Sequence, residues 1–311
     1  MARCFVSRRL PGQALERLTA EHAVEVWPAR LAPRPPELQR AVADAEGLLC
    51  LLTDRVDSAL LAAAPSLRVI SNLAVGCDNV DVAAVRERGI ALGYTPGVLT
   101  ETTADLAFAL ILAAARRLPE GVAAVAAGAW LTWEPDWLLG RDVHGATLGL
   151  VGLGRIGQAV ARRAEGFGME VVHTTRRTGL PLPALLERSD FVSLHCPLTP
   201  ETRHLIDEAA LRRMRPDAVL VNTARGGVVD QAALERALRE GWIAGAALDV
   251  TEPEPLPPDH PLLGAPNLIV LPHLGSATRA TRERMADLAV DNLLTGLAGQ
   301  PMPMAFPDDA G

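Results

Sequence analysis

Three stretches in the last third of the chain carry side chains able to move protons and hold anions. Asn222-Thr223-Ala224-Arg225-Gly226-Gly227 follows the apolar run 218–222 and supplies a guanidinium. Asp249-Val250-Thr251-Glu252-Pro253-Glu254-Pro255 follows the run 243–249 and supplies carboxylates. Pro272-His273-Leu274-Gly275-Ser276 follows the run 268–271 and supplies an imidazole. Short apolar runs bounded by Gly and Pro read as buried strands, and parallel strands bring their carboxyl ends to one sheet edge. A cation, a carboxylate and an imidazole at that edge suit hydride transfer to a 2-keto acid. The cation binds the substrate carboxylate and polarises the keto oxygen. The imidazolium protonates that oxygen as hydride arrives, and the carboxylate keeps the imidazole charged near neutral pH. Taken singly, each group has an ordinary alternative: a salt-bridging Arg, or a solvated Glu in a Pro-rich loop.

Hydride needs a carrier, and an earlier motif supplies one. Gly152, Gly154 and Gly157 form a G-x-G-x-x-G after the apolar run that ends at Leu153, and helical spacing follows over 158–168. Strand, tight turn and helix are the context in which this motif binds a dinucleotide. Gly152 permits the turn, Gly154 lets the backbone approach a pyrophosphate, and Gly157 lets helix and strand pack. The helix N-terminus then offers N–H groups and partial positive charge. The next strand ends at the position where NAD-binding chains carry an acidic residue; here stand Thr175, Arg176 and Arg177. A hydroxyl and two guanidiniums favour a 2′-phosphate, so NADP is the expected cofactor and NAD the alternative. A solvated loop is the competing reading of the two arginines.

The elements that must position these groups alternate along the whole chain. Strands are expected near 4–7, 24–27, 47–52, 68–73 and 90–94, with helices near 12–21, 36–44, 58–63 and 82–88. A long apolar helix over 102–117 follows the break at Thr95-Pro96-Gly97. A second alternation has strands near 147–153, 169–174, 190–194, 218–223, 243–249 and 268–272, and a last helix over 277–297. This is an α/β chain of two doubly wound parallel-sheet domains. Residues 1–98 plus 283–311 form a substrate domain, and 99–282 an inserted dinucleotide-binding domain, leaving a cleft between them.

Composition narrows the function. The 311 residues hold 30 Lys+Arg against 37 Asp+Glu, a net charge of −7, with no basic run. Nucleic-acid binding is a poor fit. No apolar stretch is long enough to suggest a membrane span. The first ten residues lack the apolar core of a secretion signal. Cys4, Cys50, Cys77 and Cys196 lack C-x-x-C spacing and read as reduced thiols of a cytoplasmic protein. No His/Cys cluster has metal spacing, so no metal is expected. His195 reads as structural or cofactor-lining, and His144 and His260 as loop residues. Three of the five tryptophans crowd into Trp130-Leu-Thr-Trp-Glu-Pro-Asp-Trp137. Local packing against the long helix would explain them, and so would an interface.

These segments resemble the D-isomer-specific 2-hydroxyacid dehydrogenase family over nearly the whole chain. The runs Ser71–Asp81, Thr95–Asp105 and Asp249–Pro261 are most similar to its glyoxylate/hydroxypyruvate reductases. The resemblance implies Arg225 as the substrate-binding, polarising cation and His273 as acid/base. It selects Glu254, directly before Pro255, over Glu252 as the histidine's partner. It implies that the backbone N–H groups of Val75 and Gly76 hold the substrate carboxylate, and that Asp249 contacts the nicotinamide carboxamide. Candidate cofactor contacts are Gly152, Gly154, Arg155, Ile156, Gly157, Thr175, Arg176, Arg177, Cys196, Pro197, Thr223, Ala224, Asp249 and Gly275. The resemblance also implies a homodimer, with the tryptophan segment as its arm. The expected reaction is NADPH-preferring reduction of glyoxylate and hydroxypyruvate to glycolate and D-glycerate. Open alternatives are reduction of another 2-keto acid, such as 2-ketogluconate, and a non-catalytic, dinucleotide-sensing, corepressor-like protein. Formate oxidation is disfavoured, since formate-oxidising relatives place Gln where Glu254 stands.

Overall fold

A computed structural model describes residues 1–307; the last four residues of the expected 283–311 segment lie outside the described residues. The chain divides into two compact units, 1–99 with 277–311, and 100–276. The expected second crossing at 282/283 falls inside a helix that runs Arg279–Leu297, so the chain changes unit at Ser276–Ala277 instead.

The first unit contains β1 (Arg3–Val6), α1 (Ala14–Glu21), β2 (Ala23–Val26), α2 (Pro35–Ala41), β3 (Gly47–Cys50) and α3 (Ser58–Ala63). It continues with β4 (Val69–Asn72), α4 (Val82–Glu87) and β5 (Ala91–Gly93). The five strands lie in the order β2-β1-β3-β4-β5, all parallel. That is the flavodoxin-like winding, with its switch point between β1 and β3. The central strands β3 and β4 are buried at every residue, whereas the edge strand β2 is not. Phe5, Leu48, Leu60, Ile70 and Val85 fill the core between sheet and helices. Asp57 and Asp81 start α3 and α4 by accepting the N–H of Leu60 (3.0 Å) and Ala84 (3.0 Å), groups a helix start otherwise leaves unpaired.

The second unit runs α5 (Thr100–Ala115), α6 (Leu118–Ala126), β6 (Thr147–Val151), α7 (Arg155–Glu165), β7 (Glu170–Thr174), α8 (Leu182–Arg188) and β8 (Phe191–Leu194). It continues with α9 (Glu208–Arg213), β9 (Val219–Asn222), α10 (Gln231–Glu240), β10 (Gly245–Leu248) and β11 (Leu268–Val270). The six strands are parallel in the order β11-β10-β9-β8-β6-β7. Counted from β6 this is 2-1-3-4-5-6, doubly wound with its switch point between β6 and β8. Among the described residues no strand lies beyond β7, as the longer 3-2-1-4-5-6 order would require. One core packs Leu185, Leu211, Leu220 and Leu234; another packs Ala107, Phe108, Ile111, Leu148 and Val160. Small residues on α5 allow its close approach to the sheet and to α7. The spacing does not announce α6, whose Pro119 and Gly121 are poor helix formers, and none of its residues is buried.

Helix α11 (Arg279–Leu297) closes the first unit. Its Asn292 is fully buried, donates to the Tyr94 carbonyl (3.0 Å) and accepts from Met304 N–H (2.9 Å). No helix is long and apolar enough to cross a membrane. Replacing Asn292 with Leu removes both hydrogen bonds, at about 0.5–1.5 kcal/mol each. We expect Asn292→Leu to lower the thermal midpoint by several degrees; an unchanged melt would show that this tie does not hold the returning helix.

Candidate functional site

The site grows from the carboxyl edge of the second sheet. At the switch point, β6 runs into Gly152, whose φ of +99° only glycine adopts readily. A methyl on Gly152 would stand 2.7 Å from the His195 carbonyl carbon at the end of β8, and one on Gly157 would strike the Gly152 carbonyl. These two glycines are thus required by the protein's own packing. Gly154 differs: a methyl there would meet nothing within 4 Å. Its bare backbone faces open space at the start of α7, and no side chain caps that helix. By contrast, Asp207 and Asp230 cap α9 and α10. Arg155, Ile156 and buried Gly157 stand in the first turn of α7, where a helix start offers N–H donors suited to an anion.

Charge around this turn is low. Burial holds the His195 imidazole down to about 4, so it is neutral, and its Nε2 pairs with Ser193 Oγ at 2.9 Å. Burial likewise pushes the half-buried Cys196 thiol up to about 11, so no thiolate repels an anion there. Pro197 beside it is exposed. At the end of β9, the buried hydroxyl of Thr223 has no hydrogen-bond partner among the described residues, next to half-buried Ala224. An uncapped helix start, a glycine backed by open space and an orphaned hydroxyl on one sheet edge fit a dinucleotide.

At the end of β7, Thr175–Thr178 closes a tight turn. Thr175 N–H donates to the Thr178 carbonyl (2.9 Å), and Thr175 Oγ1 accepts from the N–H groups of Arg177 (3.2 Å) and Thr178 (2.9 Å). The turn places Arg176 and Arg177 at an exposed tip. Arg176 pairs with Glu201 at 3.4 Å, and no carboxylate among the described residues pairs with Arg177.

The proton-handling groups come from the ends of three neighbouring strands, β9, β10 and β11. Arg225 leaves β9 in extended backbone, with its Nη1 donating to the Ala224 carbonyl (2.8 Å). The Asn222 side chain braces this loop, accepting from Ala224 N–H (3.0 Å) and donating to the Arg225 carbonyl (2.8 Å). The next residue, Gly226, lies so close to the Thr251 carbonyl that a side chain could not fit. Beyond β11, His273 Nδ1 makes a short hydrogen bond to Glu254 Oε1. Glu252 is engaged elsewhere, with Arg203 at 2.9 Å. Asp249, 1% exposed, accepts from Leu274 N–H (2.6 Å) through Oδ1 and from Gly275 N–H (2.7 Å) through Oδ2. Burial raises its carboxyl above the usual range, against the pull of those two N–H groups.

In the first unit, Val75 is exposed and Gly76 half-buried in the loop after β4. No group among the described residues accepts from either N–H. Asn72 anchors the loop, donating to the Gly76 carbonyl (3.0 Å) and to Asn79 Oδ1 (3.1 Å). In the tryptophan segment Trp130 is 61% and Trp133 80% exposed, whereas Trp137 is half-buried. Near them a cavity of about 640 Å³, lined by Ala113, Leu139, Val219 and Leu268, opens at the opposite, amino-terminal edge of the second sheet. Its charges are already spent, Arg141 on Asp190 and Arg117 on Glu120.

Sequence reasoning gave no role to Asn222, Gln231 or Thr103. Gln231 binds the Glu252 backbone, accepting from its N–H at 2.9 Å and donating to its carbonyl. Thr103 Oγ1 on α5 donates to the Gly275 carbonyl (3.1 Å). Only burial distinguishes these side chains from ordinary strand-end and helix residues, and burial is not written in their spacing.

Residues 108–275 match the family described as D-isomer specific 2-hydroxyacid dehydrogenase, NAD binding domain. Over 97% of its length the chain is 50% identical to a glyoxylate reductase of Korarchaeum cryptofilum, of which it covers 94%. Its fold is similar to the crystal structure of a Thermus thermophilus protein, with TM-score 0.93 and 51% identity, covering 98% of this chain and all of that one. It is also similar to an NADPH-dependent glyoxylate/hydroxypyruvate reductase of Sinorhizobium meliloti solved with NADP and malonate. There the TM-score is 0.86 and the identity 35%, covering 98% of this chain and 96% of that one. The chain belongs to the D-isomer specific 2-hydroxyacid dehydrogenase family of oxidoreductases.

Proposed function

We propose that this chain reduces glyoxylate and hydroxypyruvate to glycolate and D-glycerate, with NADPH as the preferred reductant. The observation that carries the reading is the His273–Glu254 hydrogen bond at the sheet edge that also bears Arg225. The names of the similar reductases support the substrate class. The cofactor, when bound, supplies hydride to the carbonyl carbon. His273 gives its proton to the carbonyl oxygen, and Glu254 holds the ring through Nδ1 so that Nε2 is free to do so. Arg225 binds the substrate carboxylate and draws charge from the keto oxygen. The N–H groups of Val75 and Gly76, for which no described group is an acceptor, are proposed as donors to a substrate carboxylate, and the first unit is proposed as the substrate domain.

The helix start at 155–157, with Gly152 and Gly154, is the proposed seat of the pyrophosphate. Thr175, Arg176 and Arg177 are the proposed seat of a 2′-phosphate; the turn that exposes both guanidiniums supports this reading. Cys196, Pro197, Thr223, Ala224, Asp249 and Gly275 complete the proposed cofactor wall. We also propose a homodimer. Leu118, Val122, Val125, Trp130 and Trp133 leave a contiguous stretch of chain exposed and apolar, and a second copy is the cover that suits it. Four free thiols suit a reducing, cytoplasmic setting.

Replacing His273 with Ala is expected to cut kcat by about 10²- to 10⁴-fold. Fluorescence titration should find NADPH binding within about twofold of the parent on this account, since the imidazole's role is in proton transfer. Near-parental turnover would remove His273 from the chemistry. Replacing Arg176 and Arg177 together with uncharged residues should lower kcat/KM for NADPH at least about tenfold and barely change that for NADH, as loss of a charge-assisted phosphate contact requires. Equal losses with both cofactors would refute the 2′-phosphate reading. Sedimentation at micromolar protein should give twice the chain mass, and a monomer would remove the dimer.

A further inference from the structure

His273 sits in an unusual backbone state, with φ of +56°. Residues other than glycine adopt that left-handed region only when their surroundings impose it. Here the imposing groups are identifiable. His273 N–H donates to the Asp249 carbonyl at 3.0 Å. The next two N–H groups, of Leu274 and Gly275, each take one oxygen of the Asp249 carboxylate. The Gly275 carbonyl is then held from α5 by the buried hydroxyl of Thr103 at 3.1 Å. Four hydrogen bonds thus fix the backbone of three consecutive residues, and the imidazole is carried by the first of them.

We propose that Asp249 and Thr103 are positioning residues for His273: their grip on the 273–275 backbone aims the imidazole at Glu254 and at the substrate oxygen. This rests on His273 being the proton donor. It assigns Asp249 a task beyond the nicotinamide contact expected of it, and gives Thr103 a task for the first time. Both carboxylate oxygens of Asp249 are committed to backbone donors, so an Asn would offer one acceptor where two are needed. The unmatched N–H of Leu274 or Gly275 would face an amide NH₂, and the left-handed turn would relax.

A relaxed turn moves the imidazole against the fixed carboxylate of Glu254. Misplacement of a reacting group by about an ångström costs on the order of 10²-fold in rate. The clamp makes no demand on how tightly the dinucleotide binds, and that separates it from a cofactor contact.

The test compares Asp249→Asn and Thr103→Val with the parent and with His273→Ala, using NADPH and glyoxylate. For Asp249→Asn we expect kcat to fall about 10- to 100-fold at saturating NADPH. The KM for glyoxylate should stay within about twofold, because Arg225 still holds the substrate carboxylate and the loss falls on kcat. Thr103→Val removes one hydrogen bond in a nearly isosteric way and should lower kcat about 2- to 10-fold with the same split, while its NADPH Kd, read by fluorescence titration without turnover, stays within about twofold. If Asp249→Asn fails to fold, judged by circular dichroism, Thr103→Val decides by the same readouts. A raised NADPH Kd with unchanged kcat would overturn the clamp and leave Asp249 as a cofactor contact. Unchanged kcat in the folded variants, with His273→Ala inactive, would overturn the clamp alone. Retained turnover in His273→Ala would overturn the proton-donor reading and the clamp with it.

Discussion

All six strands of the second unit run the same way, and the chemistry of the chain depends on that constraint. A parallel sheet needs a crossover after each strand, so every strand's carboxyl end opens into a loop on the same edge. The glycine turn after β6, the threonine–arginine turn after β7, His195 after β8, Arg225 after β9, Asp249 after β10 and His273 after β11 therefore share one edge. These residues are scattered over about 120 positions of sequence and become neighbours only because no strand is reversed. The cavity at the other edge, where strands begin, has its charges neutralised by ion pairs.

Sheet direction brings loops together, and buried polar side chains then fix where each loop points. Asn222 holds the Arg225 loop, Gln231 holds the Glu252 backbone two residues from Glu254, and Asp249 with Thr103 holds 273–275. Each such side chain pairs with backbone groups of the loop it holds, so stability and placement of the site arise from the same bonds. The helix start at α7 is built differently from those of α9 and α10. It lacks a side-chain cap, and Gly154 leaves its backbone bare, as an anion-binding turn requires.

Much of this was legible before the fold was seen. Parallel strands buried on both faces read as short apolar runs, and those runs place β1 to β11 within a few residues. The glycine loop was legible because the spacing of Gly152, Gly154 and Gly157 has a steric cause at two of the three positions. The choice between Glu252 and Glu254 was not legible from residue type; it depends on Arg203, nearly fifty residues earlier, which occupies Glu252. The exposed helix α6 was masked by Pro119 and Gly121. The tryptophan segment was ambiguous, since aromatic residues serve cores and interfaces alike; Trp130 and Trp133 stand exposed, while Trp137 is half-buried. The left-handed backbone at His273 left no trace in the sequence, because histidine tolerates that state only when distant groups enforce it.

The central claim is that this sheet edge transfers hydride to a small 2-keto acid while His273 supplies the proton. A matrix of initial rates tests it most directly: glyoxylate, hydroxypyruvate, pyruvate and 2-ketogluconate, each with NADPH and with NADH, followed by loss of the reduced nicotinamide absorbance. The account predicts the highest kcat/KM for glyoxylate and hydroxypyruvate with NADPH. Absence of cofactor oxidation with every keto acid in both columns would contradict it and turn attention to a non-catalytic, dinucleotide-sensing role.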